Sequence, residues 1–285
     1  MILSMTGYGK SEVQWEDKNI RIEIRSLNSK TADINLRIPS YLRELESELR
    51  KRITQLLFRG KIDVSIYVEY NGGNAPTIIN SGVVSSYMKQ LEAIAEASES
   101  ERMAMALRLP DTLNSSREEL GEAEKKRVID TLNQTLETLI GFRKDEGEVL
   151  EQDFLLRLDL LEQQLSKIKV LEPERKERVQ TKIANAMAEL RLEVDSNRFE
   201  QELIYYLEKL DITEEQVRLQ NHLSYFRDVL KNEFPNGKKL GFITQEIGRE
   251  INTIGSKANH AELQKCVVQM KDELEKVKEQ LLNVL

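Results

Sequence analysis

The sequence predicts an α+β protein: a small N-terminal β-sheet domain with a packed helix, followed by long helices and a C-terminal helical domain. Three observations carry this reading. Period-two alternation of apolar and charged residues is confined to the first 80 positions, and three- and four-residue apolar spacing takes over from Ser81. Charged residues reach 32% while Gly (13) and Pro (5) are scarce, a mixture typical of long solvent-exposed helices. A chain of 285 residues can bury a real core as one large domain or two ordinary ones. The expected division is a strand-rich part at 1–80, a long-helix region at 81–194 and a C-terminal helical domain at 195–285.

Ile20-Arg21-Ile22-Glu23-Ile24-Arg25 alternates strictly, and so does Ile34-Asn35-Leu36-Arg37-Ile38, so each is read as a strand with one buried face. Leu42, Leu45, Leu49, Ile53, Leu56 and Leu57 recur at helical spacing between Pro39 and Phe58 and mark a helix lying on that sheet. After the turn Arg59-Gly60-Lys61, Ile62, Val64, Ile66 and Val68 form a third strand, which Asn71-Gly72-Gly73-Asn74 ends.

Beyond Ser81 the pattern is helical, punctuated by Pro110 and by a break near Leu171-Glu172-Pro173. From about Glu122 to Ile168 the only strong breaker is Gly147, so one very long helix or two stacked ones are expected, with a second subunit or another long helix as partner. Further helices fit Glu174–Val194, a segment capped by Asp195-Ser196-Asn197 and running to Leu210, and one opened by Thr213 and running to Lys231. Phe234-Pro235-Asn236-Gly237 interrupts, after which Lys239–Ile254 and His260–Leu282 are the last two, with His260 beside a helix start.

The opening residues MILSMTGYGK lack the layout of a secretory signal, and no apolar run approaches a membrane span, so a cytoplasmic protein without a membrane partner is expected. One cysteine, Cys266, excludes both a disulfide framework and a cysteine zinc site within one chain; it reads as a core thiol. A net charge of −7 argues against a uniformly basic nucleic-acid binder but leaves room for a local basic surface.

Two helical patterns carry candidate chemistry. Glu215 and His222 lie seven apart with Arg218 between them, all on one face, and Glu246 and Glu250 are four apart on another helix. Carboxylates with one imidazole suit Mg²⁺ or Mn²⁺ better than structural zinc. A metal so held lowers the pKa of water and neutralises charge on a phosphate, the requirements of phosphodiester hydrolysis. Arg218, Arg249 and Lys257 are cations near in sequence that suit phosphate binding. The same spacings also occur on solvated helices, where they form weak surface pairs.

At these residues a family resemblance emerges. Gly237-Lys238-Lys239-Leu240-Gly241-Phe242-Ile243-Thr244-Gln245-Glu246-Ile247-Gly248-Arg249-Glu250-Ile251-Asn252-Thr253-Ile254-Gly255-Ser256-Lys257 resembles the C-terminal signature of the YicC/YloC stress-protein family. Met5-Thr6-Gly7-Tyr8-Gly9, Arg25-Ser26-Leu27-Asn28, Arg59-Gly60-Lys61, Arg143-Lys144-Asp145-Glu146-Gly147 and Glu214-Glu215 followed by Arg218, Leu219 and His222 resemble its other elements. The resemblance implies a metal-dependent endoribonuclease assembled as a hexameric ring, with a role in stress physiology and small-RNA turnover. Carried over residue by residue, it implies Glu215, His222, Glu246 and Glu250 as metal or water-activating groups supported by Gln245. It also implies Arg249, Asn252, Ser256 and Lys257 as phosphate or backbone contacts.

Gly248 stands where relatives usually carry Asn, which is expected to loosen the helix beside two ligands. Ser29-Lys30 stands where many have a larger polar residue followed by Arg. Arg25, Lys30, Arg37, Arg59 and Lys61 are candidates for a phosphate-binding surface of the N-terminal domain, and Tyr8 and Tyr41 for base stacking, against plain solvent-face or packing roles. The expectation is therefore an RNA endonuclease using Mn²⁺ or Mg²⁺ in single-stranded or loop regions. The alternatives are a non-catalytic RNA-binding adaptor that promotes small-RNA degradation by other machinery, and a purely structural helical assembly.

Overall fold

The computed structural model describes residues 2–29, 31–70, 77–94, 96–115, 120–189 and 196–285. It confirms the α+β class, and it divides into two compact units. One holds Tyr8–Ser26 and Thr31–Leu139, the other Met1–Gly7, Leu27–Lys30 and Ile140–Leu285. This division departs from limits at 80 and 195, because helices beyond residue 80 stay with the sheet and one helix contributes to both units. The residues around 190–195, the Asp195 cap and the 71–74 turn lie outside the described residues.

In the first unit, β1 (Gly7–Trp15), β2 (Lys18–Leu27), β3 (Ala32–Arg37) and β4 (Gly60–Tyr70) form a sheet in the order β1-β2-β4-β3. β3 pairs parallel to β4, with Ile34 opposite Ile62 and Leu36 opposite Val64. As the alternation predicts, Ile20, Ile22, Ile24, Ile62, Val64 and Ile66 are buried. β3 is the edge strand, so Ile34 and Leu36 are only half-buried instead of filling a buried face. A 3-10 turn, Ser40–Leu45, leads into α1 (Glu46–Leu56); Leu42, Leu45, Leu49, Ile53 and Leu57 are buried as their spacing requires, whereas Leu56, at the helix end, is exposed.

β1 had no signal in the sequence because its inward residues are Gly9 and Ser11 rather than large apolar ones. The reason is space: a Cβ on Gly9 would sit 2.4 Å from the Thr135 carbonyl oxygen. Two short strands, β5 (Thr77–Ile79) and β6 (Leu113–Ser115), also went unpredicted; they pair antiparallel around α2 (Ser81–Glu92) and α3 (Glu99–Ala106). α3 opens with a capping box between Ser98 and Glu101.

α4 runs from Glu122 to Glu189 without a break at Pro173. A proline inside a helix costs roughly 3 kcal/mol through its missing N–H and ring clash. Here the turn is reinforced locally and from a distance: the buried Arg175 guanidinium donates to both carboxylate oxygens of Glu172, three residues earlier, at 2.8 and 2.7 Å, and to the Leu210 carbonyl at 2.8 Å. The proline rule fails at this position because it sees only local geometry.

In the second unit, Leu150, Phe154, Leu158, Leu161, Leu165 and Ile168 of α4 share one core with the last three helices. These are α6 (Thr213–Asn232), α7 (Gly237–Lys257) and α8 (Ala261–Leu281), with α5 (Ser196–Leu210) preceding them. Thr213 is the first helical residue of α6, not its cap; its hydroxyl donates to Asp211 Oδ1 at 2.9 Å. His260 caps α8, its Nδ1 accepting from the Leu263 N–H. Cys266 is buried in the core, and burial pushes its thiol pKa up.

Two distant motif elements meet in this unit. Thr6 donates to Glu146 Oε2 at 2.6 Å, and Arg143 Nη2 donates to the Met5 carbonyl at 3.0 Å. Gly147 permits this close approach, since a Cβ there would fall 2.1 Å from the Ile2 carbonyl oxygen. The Arg143-to-Gly147 element thus docks the chain's first residues onto α4.

Candidate functional site

The hairpin of α6 and α7 is held by Leu219, Leu223, Phe226 and Leu230 on one helix and Leu240, Ile243, Ile247, Ile251 and Ile254 on the other, all core residues. His222, Glu246 and Glu250 each sit immediately before one of these core positions, at Leu223, Ile247 and Ile251. Packing the apolar seam therefore carries the three polar side chains to its edge together. One ligand atom from each lies within 4.8 Å of the others. His222 is half-buried, Glu246 exposed and Glu250 only 4% exposed.

Among the described residues Glu250 has no hydrogen-bond or ion-pair partner. A cation shared with His222 and Glu246 would give it the partner that no described residue supplies. The donor set, one imidazole and two carboxylates spaced for a shared centre, fits a hard divalent cation. Arg249 stands beside it, its Nη1 3.9 Å from Glu246 Oε2 and its side chain 75% exposed, so it projects into solvent next to the cluster.

Glu215 lies outside this group. It is buried, and its Oε1 accepts from Lys257 Nζ at 2.7 Å, while Lys257 also donates to the Asp211 carbonyl at 2.9 Å. The seven-residue step from Glu215 to His222 amounts to roughly 10 Å along a helix axis. A shared face is therefore not a shared ligand shell. Lys257 is correspondingly an internal ion-pair partner at the end of α7 rather than an open phosphate contact. Arg218 pairs with Glu214 on the surface of α6. Gln245 and Asn252 are exposed, and the Ser256 hydroxyl donates to the Thr253 carbonyl at 2.9 Å. Gly248 does not break α7: a Cβ there would meet Leu274 of α8 at 3.2 Å, so the glycine lies where two helices press together.

On the sheet unit, Arg25 and Arg37 are exposed on the outer face, and the Arg25 guanidinium lies 5.7 Å from the Tyr8 ring centroid. Lys61 is exposed; Arg59 is partly buried, which lowers its pKa. Tyr41 is a packing residue: its hydroxyl donates to Glu124, and the Lys18 ammonium lies over its ring. Lys30 lies outside the described residues. Glu23, Asp63 and Tyr67, which share this outer face, escaped the sequence reading, although the period-two pattern of their strands already pointed them outward.

A small sheet unit joined to a helical unit bearing a His/Glu/Glu cluster defines a class to which sequence similarity gives a name. Residues 2–152 match the description "Endoribonuclease YicC-like, N-terminal region", and residues 168–285 match "Endoribonuclease YicC-like, C-terminal". A protein of Haemophilus influenzae (strain ATCC 51907 / DSM 11121 / KW20 / Rd) named probable endoribonuclease YicC is 31% identical over 287 residues, covering 100% of both chains. One of the same name from Clostridioides difficile (strain 630) is 29% identical over 297 residues, again covering 100% of both. The chain belongs to the YicC-like endoribonuclease family.

Proposed function

We propose that this protein is a metal-dependent endoribonuclease that hydrolyses phosphodiester bonds in single-stranded or loop regions of RNA. The observation that carries the reading is the His222/Glu246/Glu250 cluster, with Glu250 buried and unpartnered beside two further ligand atoms. The description of the family and the names of its relatives supply the reaction class.

His222, Glu246 and Glu250 would hold Mn²⁺ or Mg²⁺. When bound, such an ion supplies charge neutralisation on the scissile phosphate and makes water easier to deprotonate. Glu246, the exposed carboxylate of the pair, would accept a proton from the attacking water through the oxygen that does not face the ion. Arg249, free to swing beside it, contacts the phosphate and stabilises charge developing there. Arg218, Asn252 and Ser256 would extend the RNA path along the two helices. Lys257 and Glu215 act through the fold, anchoring the end of α7 to the start of α6.

The resemblance also implies a cytoplasmic homohexamer working beside other RNA-degradation machinery. Support for self-association comes from α4, where exposed Phe142, Val149 and Leu156 recur every seven residues and Val170 continues the register. Such a row is an exposed apolar stripe that a neighbouring subunit would cover. Among the described residues no helix is long and apolar enough to cross a membrane.

The test is cleavage of a labelled structured RNA by purified protein in Mn²⁺, Mg²⁺ or EDTA, beside Glu246→Gln/Glu250→Gln. Cutting that needs metal and vanishes in the variant is expected. Binding without cutting in every metal would instead make the protein an adaptor.

A further inference from the structure

The sheet's outer face holds a site distinct from the helical cluster. Glu23, Arg25, Arg37, Asp63, Ser65 and Tyr67, drawn from β2, β3 and β4, line a polar cavity of about 280 Å³. That is at the small end of ligand pockets, which run from roughly 300 to 1,000 Å³, and suits a single nucleobase rather than a helix or a folded partner.

Its polar groups are under-used by the protein itself. The Glu23 carboxylate approaches Arg21 Nε only to 3.6 Å and Arg25 Nη2 only to 4.0 Å, beyond hydrogen-bond distance. Arg21 Nε is buried with no acceptor. Arg37 makes no ion pair or hydrogen bond among the described residues. Asp63 accepts one hydrogen bond, from Asn35 Nδ2 at 2.8 Å. Tyr67 is 43% exposed, and the Arg21 guanidinium lies 4.8 Å from its ring centroid, a cation–π contact that stiffens an aromatic platform.

Unspent donors and unspent acceptors side by side narrow the ligand. A phosphate would be repelled by Glu23 and Asp63, and a metal ion by Arg25 and Arg37. A neutral planar group with its own donors and acceptors satisfies both sets, and Tyr67 offers it a stacking surface. Among the bases, guanine fits best. Its N1–H and N2–H are adjacent donors that match the two oxygens of one carboxylate, while O6 and N7 are adjacent acceptors that match a guanidinium fork. Adenine and uracil offer a carboxylate a single donor flanked by an acceptor, and cytosine sets its N3 lone pair against it.

We propose that this pocket binds one unpaired guanine of an RNA substrate, with Tyr67 stacking on the base, Glu23 accepting from its N1–H and N2–H, and Arg37 donating to O6 and N7. The inference rests on RNA being the substrate, but not on the helical cluster. It makes the sheet a reader of sequence, separate from the residues proposed to cut.

The test uses the full-length Glu246→Gln/Glu250→Gln protein, so that RNA is not consumed, and fluorescence anisotropy with labelled UUGUU, UUAUU, UUCUU and UUUUU. At least tenfold tighter binding of UUGUU is expected, with the preference reduced to within about twofold by Glu23→Gln. Tyr67→Ala should weaken all four, and Tyr67→Phe should restore binding. Equal affinity for the four oligonucleotides, or a guanine preference that survives Glu23→Gln, overturns the proposal. Competition by GMP separates the sources of the base: weak competition assigns the pocket to guanine within RNA, and competition as strong as the oligonucleotide assigns it to a free guanine nucleotide and overturns its role in reading RNA. Cleavage of a guanine-free RNA by the wild-type protein is judged separately, so the failure of either idea leaves the other standing.

Discussion

The helical hairpin and the sheet handle charge in opposite ways. On α6 and α7, packing an apolar seam gathers two carboxylates and an imidazole at one edge and leaves Glu250 buried, with no partner among the described residues. On the sheet, pleating interleaves arginines, carboxylates and tyrosines over a solvated face, so that no like charges accumulate without opposite charge nearby. On the proposed reading the first arrangement takes a cation and cuts RNA, and the second takes a base and holds it.

That contrast breaks most visibly if the two regions share a single role. Glu246→Gln/Glu250→Gln should lower the RNA cleavage rate by at least about a hundredfold, the scale of losing central transition-state stabilisation, while leaving RNA affinity within about threefold. A parallel loss of binding in a titration of uncut RNA would merge the two regions.

Next in size is a stability effect. Lys257→Met strands the buried Glu215 carboxylate and should destabilise the fold by roughly 2–3 kcal/mol, somewhat less than a fully buried pair because Lys257 is partly exposed. Thermal melting reads this as a drop of several degrees, and the Glu215→Met/Lys257→Met double variant should recover much of it. Unchanged melting with weakened RNA binding would return Lys257 to the phosphate-binding role that the resemblance implies.

A smaller effect belongs to the sheet. Arg37→Ala should cut the preference for UUGUU over UUAUU severalfold while changing the slope of log affinity against log salt by less than about 0.7, the value for one single-strand phosphate, with the cleavage rate at saturating RNA nearly unchanged. An unaltered guanine preference would make Arg37 an ordinary solvent-face residue. Smallest is Arg218→Ala, which removes an exposed pair with Glu214 and should shift stability by less than about 1 kcal/mol, measured by chemical denaturation.

Most of this architecture was readable from the amino-acid order, and the failures have physical causes. Strands β2 and β4, helix α1 and the seam of α6 to α8 follow from apolar periodicity because each buries a regular face. β1 was invisible since close approach to α4 demands Gly9, and Ser11 is the next inward residue, where a periodic strand would carry large apolar ones. Pro173 misled because the carbonyls that anchor Arg175 beside it, those of Leu210 and Lys257, come from residues distant in the chain. Within the cluster, Glu246 and Glu250 were legible as an i,i+4 pair, and His222 through its helical spacing from Glu215 and through the resemblance. Glu215 shares the face of His222 yet sits two turns away, and spacing alone carries no information about that distance across the hairpin.

The most direct test of the central claim is an electron paramagnetic resonance titration of Mn²⁺ into the wild-type protein, His222→Ala and Glu246→Gln/Glu250→Gln, with circular dichroism confirming that each is folded. The account predicts one tight Mn²⁺ per chain in the wild type, at least tenfold weaker binding in His222→Ala, and no tight site in the double variant. Equal Mn²⁺ binding by all three folded proteins, or none by the wild type, would contradict it.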